Sequence, residues 1–183
     1  MAFVDLARNR LVLKAVLAGP PAVGKSTRLD QVGQVGRRAA FGSTPLGPQE
    51  VAVLPTARES GGRPVELELY EWHGPERADL RAKGLMVGLD GLIYVADARE
   101  DRWVDTRRTL EFFASQAGGS RIRRLPSMLV LGRQDEGLLT LDSVVSKLSQ
   151  VTWSQRHAGP LEDAEGFLEA LRLYAEVVAG RIL

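Results

Sequence analysis

The chain has 183 residues, a length typical of one domain, and its 44% hydrophobic and 26% charged residues are the balance of a globular protein. The net charge of +1 gives no broad attraction to nucleic acids or membrane surfaces. The lack of cysteine excludes disulfides, thiolate metal sites, cysteine nucleophiles and cysteine-linked lipids.

Targeting signals are not evident in the sequence. Residues 1–8 lack the layout of a signal peptide, and no apolar run approaches membrane-spanning length. We therefore expect one soluble cytoplasmic domain over residues 1–183, with no stable membrane anchor and no nucleic-acid partner.

Apolar runs and helical periods alternate along the chain, which predicts a doubly wound α/β fold. The predicted strands are 11–18, 49–54, 64–72, 91–97 and 127–132, with a sixth candidate around 151–153. The predicted helices are 25–35, 76–87, 102–117, 140–150 and 162–180. The turn-rich segment 55–64 joins two predicted strands at hairpin distance, which indicates one antiparallel edge pair in an otherwise parallel sheet.

A phosphate-binding loop follows the first predicted strand. Residues 19–26 read G-P-P-A-V-G-K-S, a complete G-x-x-x-x-G-K-S between a strand and a helix. Its glycines let backbone N–H groups point inward at an anion, Lys25 reaches the β- and γ-phosphates, and the Ser26 hydroxyl binds Mg²⁺. The predicted nucleotide-binding residues are Gly19, Ala22, Val23, Gly24, Lys25, Ser26 and Thr27, and Lys25 is also the first catalytic candidate. The alternative is a glycine-rich strand–helix connection.

The segment after the first predicted helix resembles a mobile switch loop. Thr44 is the candidate there for binding both Mg²⁺ and the γ-phosphate, although Pro45 and Gly47 also fit an ordinary turn. Arg37, Arg38 and Arg58 are candidates for an arginine finger in the same chain, and solvated arginines are the alternative.

The strand 64–72 leads into Glu71-Trp72-His73-Gly74, where a nucleotide switch often has D-x-x-G. Gly74 is a candidate for sensing the γ-phosphate, and Glu71 offers a carboxylate. Pro75 stands where a hydrolytic site usually has a glutamine that orients water, and proline has no side chain for that task. Glu76 is the substitute catalytic candidate, with a first-turn helix acid as the alternative.

A guanine-recognition motif of the N-K-x-D type is predicted after the strand 127–132, where the chain has Gly132-Arg133-Gln134-Asp135, with glycine in place of the asparagine. The Asp135 carboxylate can accept two hydrogen bonds from guanine, which adenine cannot supply, and the stem of Arg133 can lie over the base. A solvated turn is the alternative. In the loop 153–159, the backbone N–H of Ala158 is the candidate for guanine O6.

These residues resemble the small Ras-like GTPases and, within them, the bacterial MglA group of gliding-motility and cell-polarity proteins. The similarity is carried by residues 1–14, by the phosphate loop with Pro20 after its first glycine, and by the segment 89–97. Leu54-Pro55 and Leu69-Tyr70 extend it over essentially the whole chain.

The resemblance implies a P-loop NTPase fold with a six-stranded, mostly parallel sheet, one antiparallel edge strand and five helices. It also implies GTP/GDP and Mg²⁺ as ligands, switch loops, a roadblock-fold activator such as MglB, and effectors. The chain departs from the pattern at Pro21, at Pro75, at Gly132-Arg133 and in a shorter first switch loop.

Three functions follow from these patterns. The first is a GTP/GDP-binding switch with slow or partner-dependent hydrolysis. The second is a pseudo-GTPase that serves as an interaction module, with Trp72, Trp103 and Trp153 as candidate anchors. The third is an ATP-using protein, against which Asp135 argues.

Overall fold

The computed structural model describes residues 2–41, 49–74, 84–133 and 135–183. They form an α/β fold around one eight-stranded sheet. The strands are β1 (Phe3–Asp5), β2 (Arg10–Ala18), β3 (Arg37–Phe41), β4 (Gln49–Ser60), β5 (Arg63–Glu71), β6 (Gly91–Asp97), β7 (Ser127–Gly132) and β8 (Gln155–Ala158). The helices are α1 (Lys25–Val35), α2 (Trp103–Ala117), α3 (Gly119–Ile122), α4 (Leu141–Lys147) and α5 (Ala164–Ile182), with a 3-10 turn at Glu100–Arg102.

The sheet is mixed but mostly parallel, with the strand order β3-β4-β5-β2-β6-β7-β8. The five strands from β5 to β8 in that order run parallel, whereas β4 is antiparallel to both of its neighbours. Strand β1 pairs antiparallel with the start of β2. The prediction of a six-stranded sheet is therefore wrong in its strand number. The antiparallel strand β4 is also not at the edge, because β3 lies outside it.

Of the three strands that the apolar pattern missed, β3 and β8 lie at the edges of the sheet, and β1 pairs with the start of the central strand β2. Strand β3 occupies part of the segment interpreted as a switch loop, and β8 lies at 155–158 rather than at 151–153. The side chains of β8 alternate between half-buried and exposed, and its sequence Q-R-H-A contains no apolar run. Val151 and Trp153, which suggested the strand, are buried in the core just before it.

Strands β4 and β5 form the predicted antiparallel hairpin, but its turn is much shorter than the turn-rich segment 55–64. Strand β4 continues to Ser60, and only Gly61 and Gly62 separate it from β5. The register of the pair shifts between Pro55 and Glu59. Such a bulge accommodates a proline, which has no N–H for the ladder.

The helix predictions agree with the structure at 25–35, 102–117, 140–150 and 162–180 to within a few residues. Helix α5 begins where the Asp163 side chain accepts a hydrogen bond from the Gly166 N–H (2.9 Å), and Thr140 caps α4 in the same way. The predicted helix 76–87 lies mainly outside the described residues.

Helices cover both faces of the sheet. Side chains of α1 and α5 pack with one face, and side chains of α2 and α4 pack with the other. Trp72 and Trp153 are buried in the second of these cores, which removes them as exposed anchors for a partner. Among the helices within the described ranges, none combines the length and apolar character needed to cross a membrane.

Candidate functional site

The phosphate loop leaves the carboxyl end of β2 in the centre of the sheet. Gly19 follows the strand directly, and Gly24 caps α1 in a left-handed conformation (φ 92°, ψ 16°) that favours glycine. The Val23 side chain is buried in the core, so only its backbone is available to a ligand. The loop thus leads from the end of β2 directly into the first turn of α1, and the amino end of a helix favours anions.

Lys25 is buried within this loop, with a relative exposure of 5%. Its Nζ donates hydrogen bonds to the carbonyls of Gly19 (3.1 Å) and Pro20 (2.7 Å). Burial lowers the pKa of Lys25, and the negative charge of Glu71 acts in the opposite direction. The loop therefore holds a desolvated cation, which interacts more strongly with an anion than a cation in water does.

Ser26 and Glu71 bring a hydroxyl and a carboxylate together beside the loop. The Ser26 hydroxyl donates to Glu71 Oε1 over 3.0 Å, and His73 Nδ1 lies 3.6 Å from the same oxygen. Glu71 is the last residue of β5, next to β2 in the sheet. Strand order thus explains why a residue 45 positions away reaches the phosphate loop.

A cleft of about 270 Å³ opens at this point. It is lined by Ala22, Gly24, Lys25, Ser26, Thr27, Glu71, Arg133 and Leu161. The cleft therefore joins the predicted phosphate-binding residues to Arg133 of the predicted base motif. The other described candidates lie outside its lining.

The predicted base-recognition residues lie at the ends of β7 and β8, which are neighbours in the sheet. Leu131 pairs with Ala158, so the two loops that follow these strands begin side by side. Asp135 and Ala158 are both exposed. Arg133 has a left-handed backbone (φ 55°), and its guanidinium donates to the Ala22 carbonyl (3.2 Å) and to Glu136 (2.6 Å). This guanidinium reaches the phosphate loop itself.

Several predicted residues lie outside the part of the chain that the structure describes. These are Thr44, Pro75 and Glu76. Gly74 is the last residue before such a gap, and it has a left-handed backbone (φ 97°).

The three candidate arginine fingers are all paired with carboxylates on the body of the domain. Arg37 contacts Glu66 (2.7 Å), Arg38 contacts Asp30 and Glu50, and Arg58 contacts Glu176. Glu66 lies five residues before the end of β5, roughly 16 Å from it at the rise of a strand. None of these three side chains lines the described cleft.

Leu161 and Arg28 lie at or beside the site, but no sequence motif identifies them. Leu161 lines the cleft although it follows β8 by three residues, and no local motif marks it. Arg28 lies on the buried face of α1, four residues before the buried Val32. This i, i+4 spacing could have indicated that Arg28 is buried. No protein-family model and no curated protein matches the chain, so the case for its function depends on the residues of this site.

Proposed function

We propose that the protein is a Ras-like, guanine-nucleotide-binding switch similar to the MglA group, with slow or partner-dependent hydrolysis of GTP. The observation that carries the proposal is the buried Lys25 ammonium held inside the loop 19–26, at the end of a central parallel strand. Phosphates are the ligands that such a strand–loop–helix arrangement suits best, because backbone N–H groups, the helix dipole and a lysine converge on them.

Mg²⁺ fits the donor set at the mouth of the cleft. Ser26 Oγ and Glu71 Oε1 are 3.0 Å apart, and Mg²⁺ prefers hydroxyl, carboxylate and phosphate oxygens. Ser26 would therefore hold the ion with support from Glu71, and Thr44 stays a sequence-based candidate. When bound, the ion would neutralise negative charge on the phosphates.

Guanine is the base that the exposed loops after β7 and β8 favour. Asp135 is acceptor-only when ionised, and guanine supplies the two donors that it needs. Ala158 offers a backbone N–H from the neighbouring strand end, and Gly74 and Arg133 complete the proposed set of ligand contacts.

Hydrolysis should depend on a partner, because Pro75 cannot orient water. An activator that supplies an arginine accelerates such reactions by on the order of 10³ to 10⁵. A roadblock-fold activator of the MglB type, and effectors in cell polarity or motility, are the partners that we propose for a cytoplasmic switch of this kind.

The binding test is calorimetric titration with GTP, GDP and ATP in Mg²⁺. We expect GTP and GDP to bind with different affinities, because only differential affinity can drive a switch. Lys25→Ala should weaken GTP binding at least about tenfold, since a charge-assisted contact to phosphate is lost. Lys147→Ala is the matched control, because Lys147 is exposed on α4.

Three other outcomes of the titration would contradict the proposal. Equal affinities for GTP and GDP would leave only the interaction-module alternative. Tighter binding of ATP than of GTP would overturn guanine recognition. Unchanged affinity in Lys25→Ala would overturn the assignment of the phosphate loop.

The catalytic test is single-turnover hydrolysis of GTP by the purified protein. Without a partner we expect a rate slower than on the order of 10⁻⁴ per second, the scale of Ras-like turnover without an activator. The rate should fall further in Lys25→Ala. Ordinary Ras-like turnover in the isolated protein would contradict the view that Pro75 disables the site.

A further inference from the structure

Arg28 is a buried charged residue that the phosphate loop does not require. It lies two residues after Ser26 on α1, with a relative exposure of 1%. Its guanidinium packs over the Phe167 ring at 4.7 Å and donates to the Gln31 side chain at 3.1 Å. It also donates to three backbone carbonyls of one loop, those of Gly159 (3.4 Å), Pro160 (2.9 Å) and Asp163 (3.0 Å).

Burying a guanidinium is costly unless its donors are satisfied. An aliphatic side chain would fill the same place on α1 without that cost, as it does at Leu29 and Val32. The arginine therefore has a specific effect here, which is to fix the backbone of the loop that follows β8. Gln31 adds to this effect, because its Nε2 donates to the Leu161 carbonyl at 2.7 Å.

The loop held by Arg28 and Gln31 contacts the phosphate loop. A Cβ atom added to Gly24 would lie 2.8 Å from Cδ1 of Leu161, and Leu161 lines the cleft. The same loop begins directly after Ala158, the candidate for base recognition. The loop 159–163 thus lies between the two ends of the proposed nucleotide site.

We infer that Arg28 and Gln31 act as a clamp that positions the loop 159–163 at the cleft and so retains the nucleoside end of a bound nucleotide. Arg28 is a positioning residue in this scheme, since it acts through the backbone of the loop. The inference rests on the proposed function. It separates two contributions to binding, because the phosphates are held by the loop 19–26 and the nucleoside is retained by the clamp.

The test compares two ligands in the Arg28→Met variant. Release of GDP that carries a fluorescent ribose label should accelerate about tenfold, as expected when hydrogen bonds to a charged group are lost. The affinity for inorganic pyrophosphate, which has no nucleoside, should stay within about twofold of the wild-type value. A general loss of stability cannot produce this difference between the two ligands.

Arg10→Met is the matched control. Arg10 is also a buried arginine (4% exposed), but it pairs with Asp5 and Glu66 at the start of β2, at the opposite end of that strand from the phosphate loop. We expect it to lower the melting temperature without accelerating GDP release. Arg28→Lys should release GDP at an intermediate rate. The lysine ammonium keeps the positive charge, but it lacks the planar fork of donors with which the guanidinium reaches three carbonyls.

Each remaining outcome has a distinct meaning. Unchanged GDP release in a folded Arg28→Met variant, or an equal loss of GDP and pyrophosphate affinity, overturns the clamp. If Arg28→Met does not fold, Gln31→Ala replaces it, with GDP release expected to rise about threefold and no change overturning the clamp. Failure of the wild-type protein to bind GDP overturns the proposed function, and the clamp with it.

Discussion

Arg133 connects the loop after β7 to the phosphate loop. Its guanidinium donates to the Ala22 carbonyl and to Glu136, and Glu136 also accepts from Arg99, which pairs with the buried Asp97. This chain of charges provides a polar link between two loops, although Gly132 has no side chain that could form one. Arg133, which stands in the lysine position of the N-K-x-D motif, thus makes structural contacts of its own.

Introducing asparagine at position 132, as the N-K-x-D motif has it, should destabilise the protein. A Cβ atom at Gly132 would lie 2.9 Å from the Val23 carbonyl oxygen, which is backbone of the phosphate loop and cannot move freely. We expect Gly132→Asn to lower the free energy of unfolding by about 1–3 kcal/mol. Urea unfolding of the two proteins measures this difference.

Gly119→Asn is the control for that substitution, because a Cβ atom there meets nothing within 4 Å. Its effect should stay within about 0.5 kcal/mol, the usual range for surface changes. An equally stable Gly132→Asn protein would show that the two loops move apart easily, contrary to the close contact described.

At this scale, the sequence was informative about local chemistry and uninformative about distant contacts. The spacing from Gly19 to Ser26 located a loop, because backbone turns and a helix start are local events. The contact of Leu161 with Gly24 joins residues more than 130 positions apart, and it depends on where β8 ends in space. A single sequence carries no signal for such a contact.

At the scale of the elements, a histidine on strand β8 packs against helix α5, close to the Arg28 charge. His157 lies on β8 with its ring 5.9 Å from the Phe167 ring, and its Nε2 is buried without a hydrogen-bond partner among the described residues. Burial lowers the pKa of His157, the nearby Arg28 charge lowers it further, and Asp163 acts in the opposite direction. The neutral imidazole is therefore the form that the folded protein favours.

Stability should fall as the pH drops through the titration of His157. The unfolded chain binds a proton near its ordinary pKa of about 6.5, whereas the folded protein binds it only at lower pH. Below that value the unfolded state takes up more protons, so acid favours unfolding, and above it the effect vanishes. Unfolding by urea at about pH 7.5 and about pH 5.5 measures the loss.

His157→Gln should reduce that loss, since glutamine does not titrate. His73→Gln is the matched control, because the His73 imidazole is half exposed and lies beside Glu71 instead. If the wild type and His157→Gln lose the same stability between the two pH values, His157 does not contribute to the acid sensitivity.

Strands and helices were predictable where their burial requires a regular pattern of apolar residues in the sequence. Strands β6 and β7 are buried along their whole lengths, and both were located within their observed bounds. Strands β3 and β8 lie at the two edges of the sheet, where each pairs with only one neighbour, and neither contains a long apolar run. Pro55 suggested a turn, yet it lies within β4 opposite Glu66, just before the register of the strand pair shifts.

On the scale of the whole molecule, the candidate ligand-binding residues lie at one end of the parallel strands. The cleft lies where β2, β5 and β7 end, so the candidate ligand contacts come from segments far apart in the chain. The α/β class with a mostly parallel sheet was predictable from the alternation of strands and helices. The eight-strand count was not, because β1 and β3 are short strands of three and five residues, and no long apolar run marks them.

The two-residue turn at Gly61 and Gly62 has a practical consequence. It joins β4 to the start of β5, and β5 then runs nine residues, or roughly 30 Å, before it reaches Glu71 at the cleft. Both glycines have open space around them. A fluorescent protein or an affinity handle inserted there would project from the far side of the domain, so the protein could be followed in living cells with its cleft unobstructed.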